Sequence, residues 1–151
     1  MDDAAFARLM EESMPSMYRM AMSLLRRQAD AQDAVQQALL NAWAARERAC
    51  AGAERAWLTR ILINECRNIQ RYRMRVLPAE ALPEEIYTPP DTALRDAVER
   101  LPEKLRTPFL LKYMEGMSEK EICAALRLSL SCVKSRLLRA RRALEKEATE
   151  E

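Results

Sequence analysis

The sequence contains no histidine. With it go imidazole general acid–base catalysis, Ser–His and Cys–His nucleophile pairs, and any metal centre that needs an imidazole. Glycine is nearly as scarce. Only Gly52 and Gly116 occur, too few for the glycine-rich loop that cradles a phosphate or a dinucleotide. The cysteines Cys50, Cys66, Cys123 and Cys132 never form a C-x-x-C pair, which speaks against a zinc ribbon or a dithiol redox motif. They are expected to be small, mostly buried thiols in a reducing compartment. No stretch approaches the roughly 18 apolar residues of a membrane span, and the acidic start MDDAAFARLMEE is unlike a secretory leader. The expectation is a cytoplasmic chain with no membrane insertion, no metal and no cofactor, for which most familiar enzyme classes are excluded.

What is present is helix-forming text in two blocks. The chain has 151 residues, 49% of them hydrophobic, enough for one ordinary domain or two very small ones. Residues 1–76 and 93–151 are rich in Ala, Leu, Arg and Glu with apolar residues at helical spacing. Between them, Leu77 to Asp91 reads LPAEALPEEIYTPPD, with four prolines, four acids and no Lys or Arg. Prolines that dense forbid a continuous helix, so residues 77–92 read as an extended, acidic linker. Charge divides with composition. Residues 1–76 carry 12 basic and 9 acidic groups (+3), residues 77–94 carry −4, and residues 95–151 carry 13 and 10 (+3), which sum to the overall +2. The fold class is therefore all-α: two small helical domains, 1–76 and 93–151, joined by a Pro-rich acidic linker.

Within the first block, Phe6, Leu9 and Met10 form one apolar stripe and Met17, Met20, Ala21 and Leu24 another. Pro15 is expected to start a new helix between them, with Ser13 near its cap. Asp30 is expected to open the next helix, followed by Val35, Ala38, Leu39, Ala42 and Trp43 on one face. After a polar break around 46–54, a long helix runs from about Glu54 to Arg75. Its first half holds Trp57, Leu58, Ile61 and Leu62, and its second half has Arg67, Arg71, Arg73 and Arg75 with no acid after Glu65. Trp43 and Trp57 both read as core.

The second block begins with a helix from about Asp91, its cap, to Arg100. After Leu101-Pro102 another helix runs to Glu115, with Pro108 kinking or shortening it and Gly116 as its left-handed stop. Ser118-Glu-Lys-Glu121 is a capping box for a short helix, and a turn at 127–129 leads to a last helix capped by Ser129. On that helix Val133, Leu137, Ala140 and Leu144 fall within about 40° of one line, a buried stripe. Ser135, Leu138, Arg139 and Arg142 lie opposite, flanked by Lys134 and Arg141, and no acid interrupts 134–142.

A capped short helix, a turn and a helix with one apolar and one cationic face is a helix-turn-helix arrangement. Arginines on such a face reach phosphates and the acceptors of guanine. Taken alone, the charge run also fits a solvated surface. The face Asn64, Arg67, Asn68 and Arg71 on the 54–75 helix is equally open, since amides among guanidiniums suit either base edges or water.

Three stretches carry a family resemblance: DAQDAVQQALLNAW (30–43), AWLTRILINECRNIQRYRMR (56–75) and LPEKLRTPFLLKYMEGMSEKEICAALRLSLSCVKSRLLRARRAL (101–144). In this order around a proline-rich linker they resemble the small two-domain extracytoplasmic-function sigma factors of bacterial RNA polymerase. The resemblance implies a sigma factor that binds core RNA polymerase and directs initiation at promoter DNA. Asp33, Gln36, Gln37 and Asn41 would dock on the clamp helices of the largest subunit, and the C-terminal domain on the beta flap. Residues 46–55 would correspond to the loop that captures a flipped base of the −10 element. Asn64 and Asn68 would read −10 bases while Arg67 and Arg71 hold phosphates. Ser131, Cys132, Lys134, Ser135, Leu138, Arg139 and Arg142 would meet the −35 element. An anti-sigma factor is a further implied partner.

This chain departs from the family pattern in places. Gln37 stands where Glu is frequent, Leu40 where an aromatic is frequent, Arg127 at the usual turn glycine, and Ser131-Cys132 where Gly-Thr is common. The alternative is a helix-turn-helix regulator that acts without being a polymerase subunit.

Overall fold

The computed structural model describes residues 1–49, 51–76 and 93–149. Among them are seven α-helices, one 3₁₀ turn and no strand. The chain divides into two compact units, Met1–Tyr87 and Thr88–Glu151. The expected linker 77–92, the expected cap Asp91 and Cys50 lie outside the described residues.

In the first unit α1 (Asp3–Leu25), α2 (Gln28–Ala44) and α3 (Glu54–Val76) pack against one another, with the 3₁₀ turn Arg46–Arg48 after α2. Helix α1 is one helix where two were expected, and it runs through Pro15. A proline inside a helix removes one N–H donor and costs about 3 kcal/mol. The carbonyl it orphans belongs to exposed Glu11, where water is an alternative partner. On either side, Phe6, Met17, Met20, Ala21 and Leu25 are buried on a shared face, so burial on both sides of the proline offsets the lost bond.

Helix α2 begins two residues before the expected start, without a side-chain cap at Arg27. Asp30 does not cap it. The residue is buried at 7% exposure and its side chain is turned toward α3, where it forms a two-point ion pair with Arg73, with Arg73 Nη2 donating to Asp30 Oδ1 at 2.8 Å. This contact holds Arg73 further above its ordinary basicity, the hydrogen bond contributing most. Nearby, Gln70 Nε2 donates to the Leu24 carbonyl at 3.2 Å. The basic half of α3 is thus tied at two points to the α1–α2 corner.

Trp57 is buried at 5% exposure, but Trp43 is 42% exposed and not core. It stands in the last turn of α2. Phe6 meets its ring edge-on at 5.2 Å, and the Arg46 guanidinium covers it at 3.8 Å. The cysteines also differ from expectation in part. Cys66 is buried, its thiol pushed up to about 12 chiefly by desolvation, while Cys123 and Cys132 are half-buried.

The second unit holds α4 (Ala93–Glu99), α5 (Glu103–Tyr113), α6 (Glu119–Leu126) and α7 (Leu130–Thr149). Val98, Leu101 and Ala140 form a core with Leu105, Phe109, Leu110 and Leu144 around it. Pro108 sits buried inside α5, which continues for five residues beyond it to Tyr113. The helix ends before the expected Glu115. Gly116 (φ +66°) then allows the return that brings the Met117 N–H to the Leu111 carbonyl at 3.0 Å. Scarce glycine has a visible consequence. Among the described residues, besides Gly52 and Gly116, the left-handed positions fall to Arg26 (φ 63°) and Arg127 (φ 56°), each closing a helix C-terminus.

Candidate nucleic-acid interface

The capping box at α6 is complete. The Glu121 N–H donates to Ser118 Oγ at 3.1 Å and the Ser118 N–H to Glu121 Oε1 at 3.0 Å. Arg127 reverses the chain, with the Leu128 N–H on the Cys123 carbonyl at 3.1 Å. Ser129 then caps α7 by accepting from the Cys132 N–H at 3.2 Å. These contacts fix how α7 leaves α6, which in a helix-turn-helix sets how the second helix is presented.

Helix α7 buries Val133, Leu137 and Ala140, with Leu144 half-buried. Lys134, Arg139 and Arg142 are exposed, Ser131 is exposed near the helix start, and Cys132 and Ser135 are half-buried. Leu138 is 40% exposed among these cations and is not a core residue. The seven residues singled out on this helix thus lie off its buried stripe.

One carboxylate adjoins this cationic face. Glu119 accepts from Lys112 Nζ at 3.0 Å and is held below the usual carboxylate range, first by that hydrogen bond and then by the fields of Lys112, Lys134 and Arg141. Arg141 also donates from Nη1 to the Tyr113 hydroxyl at 3.4 Å. Sequence reasoning missed this edge. Its only trace is an acid at the first position of α6, which also fits an ordinary helix start.

On α3 the buried residues include Leu62, Ile63 and Cys66. Asn64, Asn68 and Arg71 are exposed and Arg67 is half-buried. At 100° per residue, Asn64, Asn68 and Arg71 fall within about 60° of one another and opposite Cys66. Arg73, counted in the basic half, is instead turned to Asp30.

The loop before α3 borders a cleft of ≈ 490 Å³, lined by Arg8, Leu9 and Glu12 of α1 and by Ala49, Ala51 and Glu54. Glu54 Oε1 accepts from the Gly52 N–H at 3.0 Å, which lowers its carboxyl below the ordinary value. The participation of α1 in this cleft was not legible in the sequence, because it arises only when α1 packs on the loop.

Of the α2 residues, Asp33, Gln36 and Gln37 are exposed and Asn41 is half-buried. Leu40, on the same side, is 64% exposed. Asn41 is already engaged. Its Nδ2 donates to Glu65 Oε1 of α3 at 2.7 Å, and its Oδ1 accepts from Gln37 Nε2 at 3.0 Å. Among the described residues no group of His, Cys, Asp and Glu is arranged to hold a metal ion. No described helix is long and apolar enough to cross a membrane.

Comparison with known proteins gives both halves a counterpart. Residues 9–76 match the model of Sigma-70 region 2 and residues 91–144 that of Sigma-70, region 4. Among curated proteins, the chain is 32% identical over 149 residues to the ECF RNA polymerase sigma factor SigM of Mycobacterium tuberculosis, covering 93% of this chain and 75% of that one. It is 32% identical to the RNA polymerase sigma-H factor of Pseudomonas aeruginosa, covering 78% and 72%. To the ECF RNA polymerase sigma factor SigE of Mycolicibacterium smegmatis it is 31% identical, over 90% of this chain, and it spans 58% of that protein's length. Among solved structures, the sigma factor RpoE of Bartonella quintana, in complex with the anti-sigma factor NepR, aligns with TM-score 0.80 at 26% identity over 96% and 97% of the two chains. CnrH in complex with the cytosolic domain of CnrY aligns with TM-score 0.77 at 26% identity over 99% and 91%.

Proposed function

The chain belongs to the extracytoplasmic-function RNA polymerase sigma factors, and from that premise we propose that it docks on core RNA polymerase and directs initiation at promoters with two DNA-facing helices. The observation that carries this reading is the pair of polar, cationic faces on α3 and α7, each set opposite a buried stripe and each in its own unit. A regulator working through its helix-turn-helix alone has no use for the first of them, and the match to Sigma-70 region 2 covers that half.

In the proposed assignment, Lys134, Ser135, Leu138, Arg139 and Arg142 face the −35 major groove, with Ser131 and Cys132 at the backbone. Asn64 and Asn68 read the −10 strand, Arg67 and Arg71 hold its phosphates, and an extruded base enters the cleft beside Ala49, Ala51 and Glu54. The docking face on α2 comprises Asp33, Gln36, Gln37 and Asn41, set against the clamp helices of the largest subunit, and the second unit meets the beta flap. Trapping an unpaired base takes stacking and hydrogen bonds and no covalent step. As an initiation factor the chain is not an enzyme. Regulation by an anti-sigma factor is proposed from RpoE, which was solved with one.

The overall charge of only +2 implies weak, salt-sensitive binding to DNA by the chain alone. Run-off transcription is the test. Core polymerase with this chain is expected to give discrete transcripts from a subset of genomic fragments, and the two are expected to co-elute in gel filtration. Failure to co-elute, together with sequence-specific DNA binding by the free chain, would establish the stand-alone regulator instead.

A further inference from the structure

The Gln37–Asn41–Glu65 chain of hydrogen bonds joins the face of α2 to the flank of α3 across 24 residues of sequence. Each link has a fixed polarity. An ionised carboxylate only accepts, so Asn41 must turn its NH₂ toward Glu65. Its carbonyl oxygen then faces Gln37, which must offer its own NH₂ inward. Each end of the Asn41 amide is committed to one of these bonds. Gln37 is left exposed with its carbonyl oxygen and one remaining N–H available to a partner.

We infer that Glu65 is a positioning residue for polymerase docking: through Asn41, its carboxylate fixes which hydrogen-bonding group Gln37 presents on the face of α2. The inference rests on the reading of α2 as the docking helix. Glu65 itself stands on the other helix, half-buried, and takes no part in that face. It is also the last acid of α3, with Asn64 and Asn68 one and three residues away on the exposed side. Drawing its carboxylate toward Asn41 therefore keeps a negative charge aimed away from the phosphates that Arg67 and Arg71 are proposed to hold. A neutral amide at position 65 can donate as well as accept. Either orientation of Asn41 then satisfies it, and the polarity of the relay is no longer set.

The test is a cycle of affinities for core polymerase, measured with the full chain. The variants are Gln37→Ala, Asn41→Ala, Glu65→Gln and the double Asn41→Ala/Glu65→Gln. Glu65→Gln is nearly isosteric and is expected to leave helix content and melting unchanged. It is expected to weaken core binding by about two- to tenfold, the scale of one misdirected hydrogen bond. On the Asn41→Ala background the same substitution is expected to add no further loss, because the relay is already cut. A merely structural role would lower the melting point and give additive losses. Undiminished core binding by Glu65→Gln, or an equal loss with and without Asn41, overturns the inference while leaving the docking face standing if Gln37→Ala still weakens binding. Full affinity in Gln37→Ala removes Gln37 from the docking face, and the inference with it.

Discussion

Replacing Lys134 and Arg139 together by alanine is expected to abolish promoter-specific initiation while leaving the fold and the affinity for core polymerase intact. Both side chains are exposed on α7 and off the stripe formed by Val133, Leu137 and Ala140, so their loss opens no cavity. An arginine bidentate to guanine contributes about 1–3 kcal/mol of discrimination, and losing a second cation from the same face weakens binding to DNA of any sequence. Losing both amounts to about a hundredfold or more in occupancy at working salt. Quantitative run-off transcription checks it, with gel filtration on core polymerase as the control. Run-off product at the parental level would place the −35 contact elsewhere on the chain.

Asp30→Ala is expected to destabilise the first unit by about 2–3 kcal/mol. The substitution removes the carboxylate that the Arg73 guanidinium engages at two points across α2 and α3. Removing one member of a buried ion pair typically costs 3–5 kcal/mol, but the Arg73 side chain is 24% exposed and recovers part of that in water. The double variant Asp30→Ala/Arg73→Met is expected to regain most of the loss, since a hydrophobic side chain carries no charge to keep partly out of water. Both tryptophans, Trp43 and Trp57, lie in this unit. Denaturant unfolding followed by tryptophan fluorescence therefore reports on it without interference from the other. A midpoint unchanged by Asp30→Ala would show that the pair is a surface contact of no consequence.

The residues that misled and those that informed differ in a physical way. The capping box at Ser118 and Glu121, the cap at Ser129 and the apolar stripe of α7 are local. Each is settled by residues within a few positions of one another, and sequence periodicity exposes them. Arg127 stands where the family usually has a turn glycine, which called for either a less strained turn or a left-handed arginine, and the structure has the left-handed arginine. Pro15 reads locally as a break because its cost inside a helix is large. What holds α1 continuous is burial against α2 and α3, which no local signal records.

The same holds for the pairs. Asp30 and Arg73 are 43 residues apart. In the sequence, Asp30 resembled a helix cap and Arg73 one more member of a basic run. Trp43 carries the period of a core residue but stands at the end of α2, where it is 42% exposed and the Arg46 guanidinium lies over its ring. The sequence of the candidate docking residues gave no sign that Asn41 is engaged on both sides of its amide.

The central claim is that two weak cationic grips become selective when polymerase holds them at a set spacing. It is tested most directly by the ratio of affinities for promoter and scrambled duplex, measured at one physiological salt concentration for the free chain and for the chain on core polymerase. The expected ratio is within about tenfold of unity for the free chain and of order a thousandfold or more for the complex. A free chain that already discriminates as well as the complex would contradict the account.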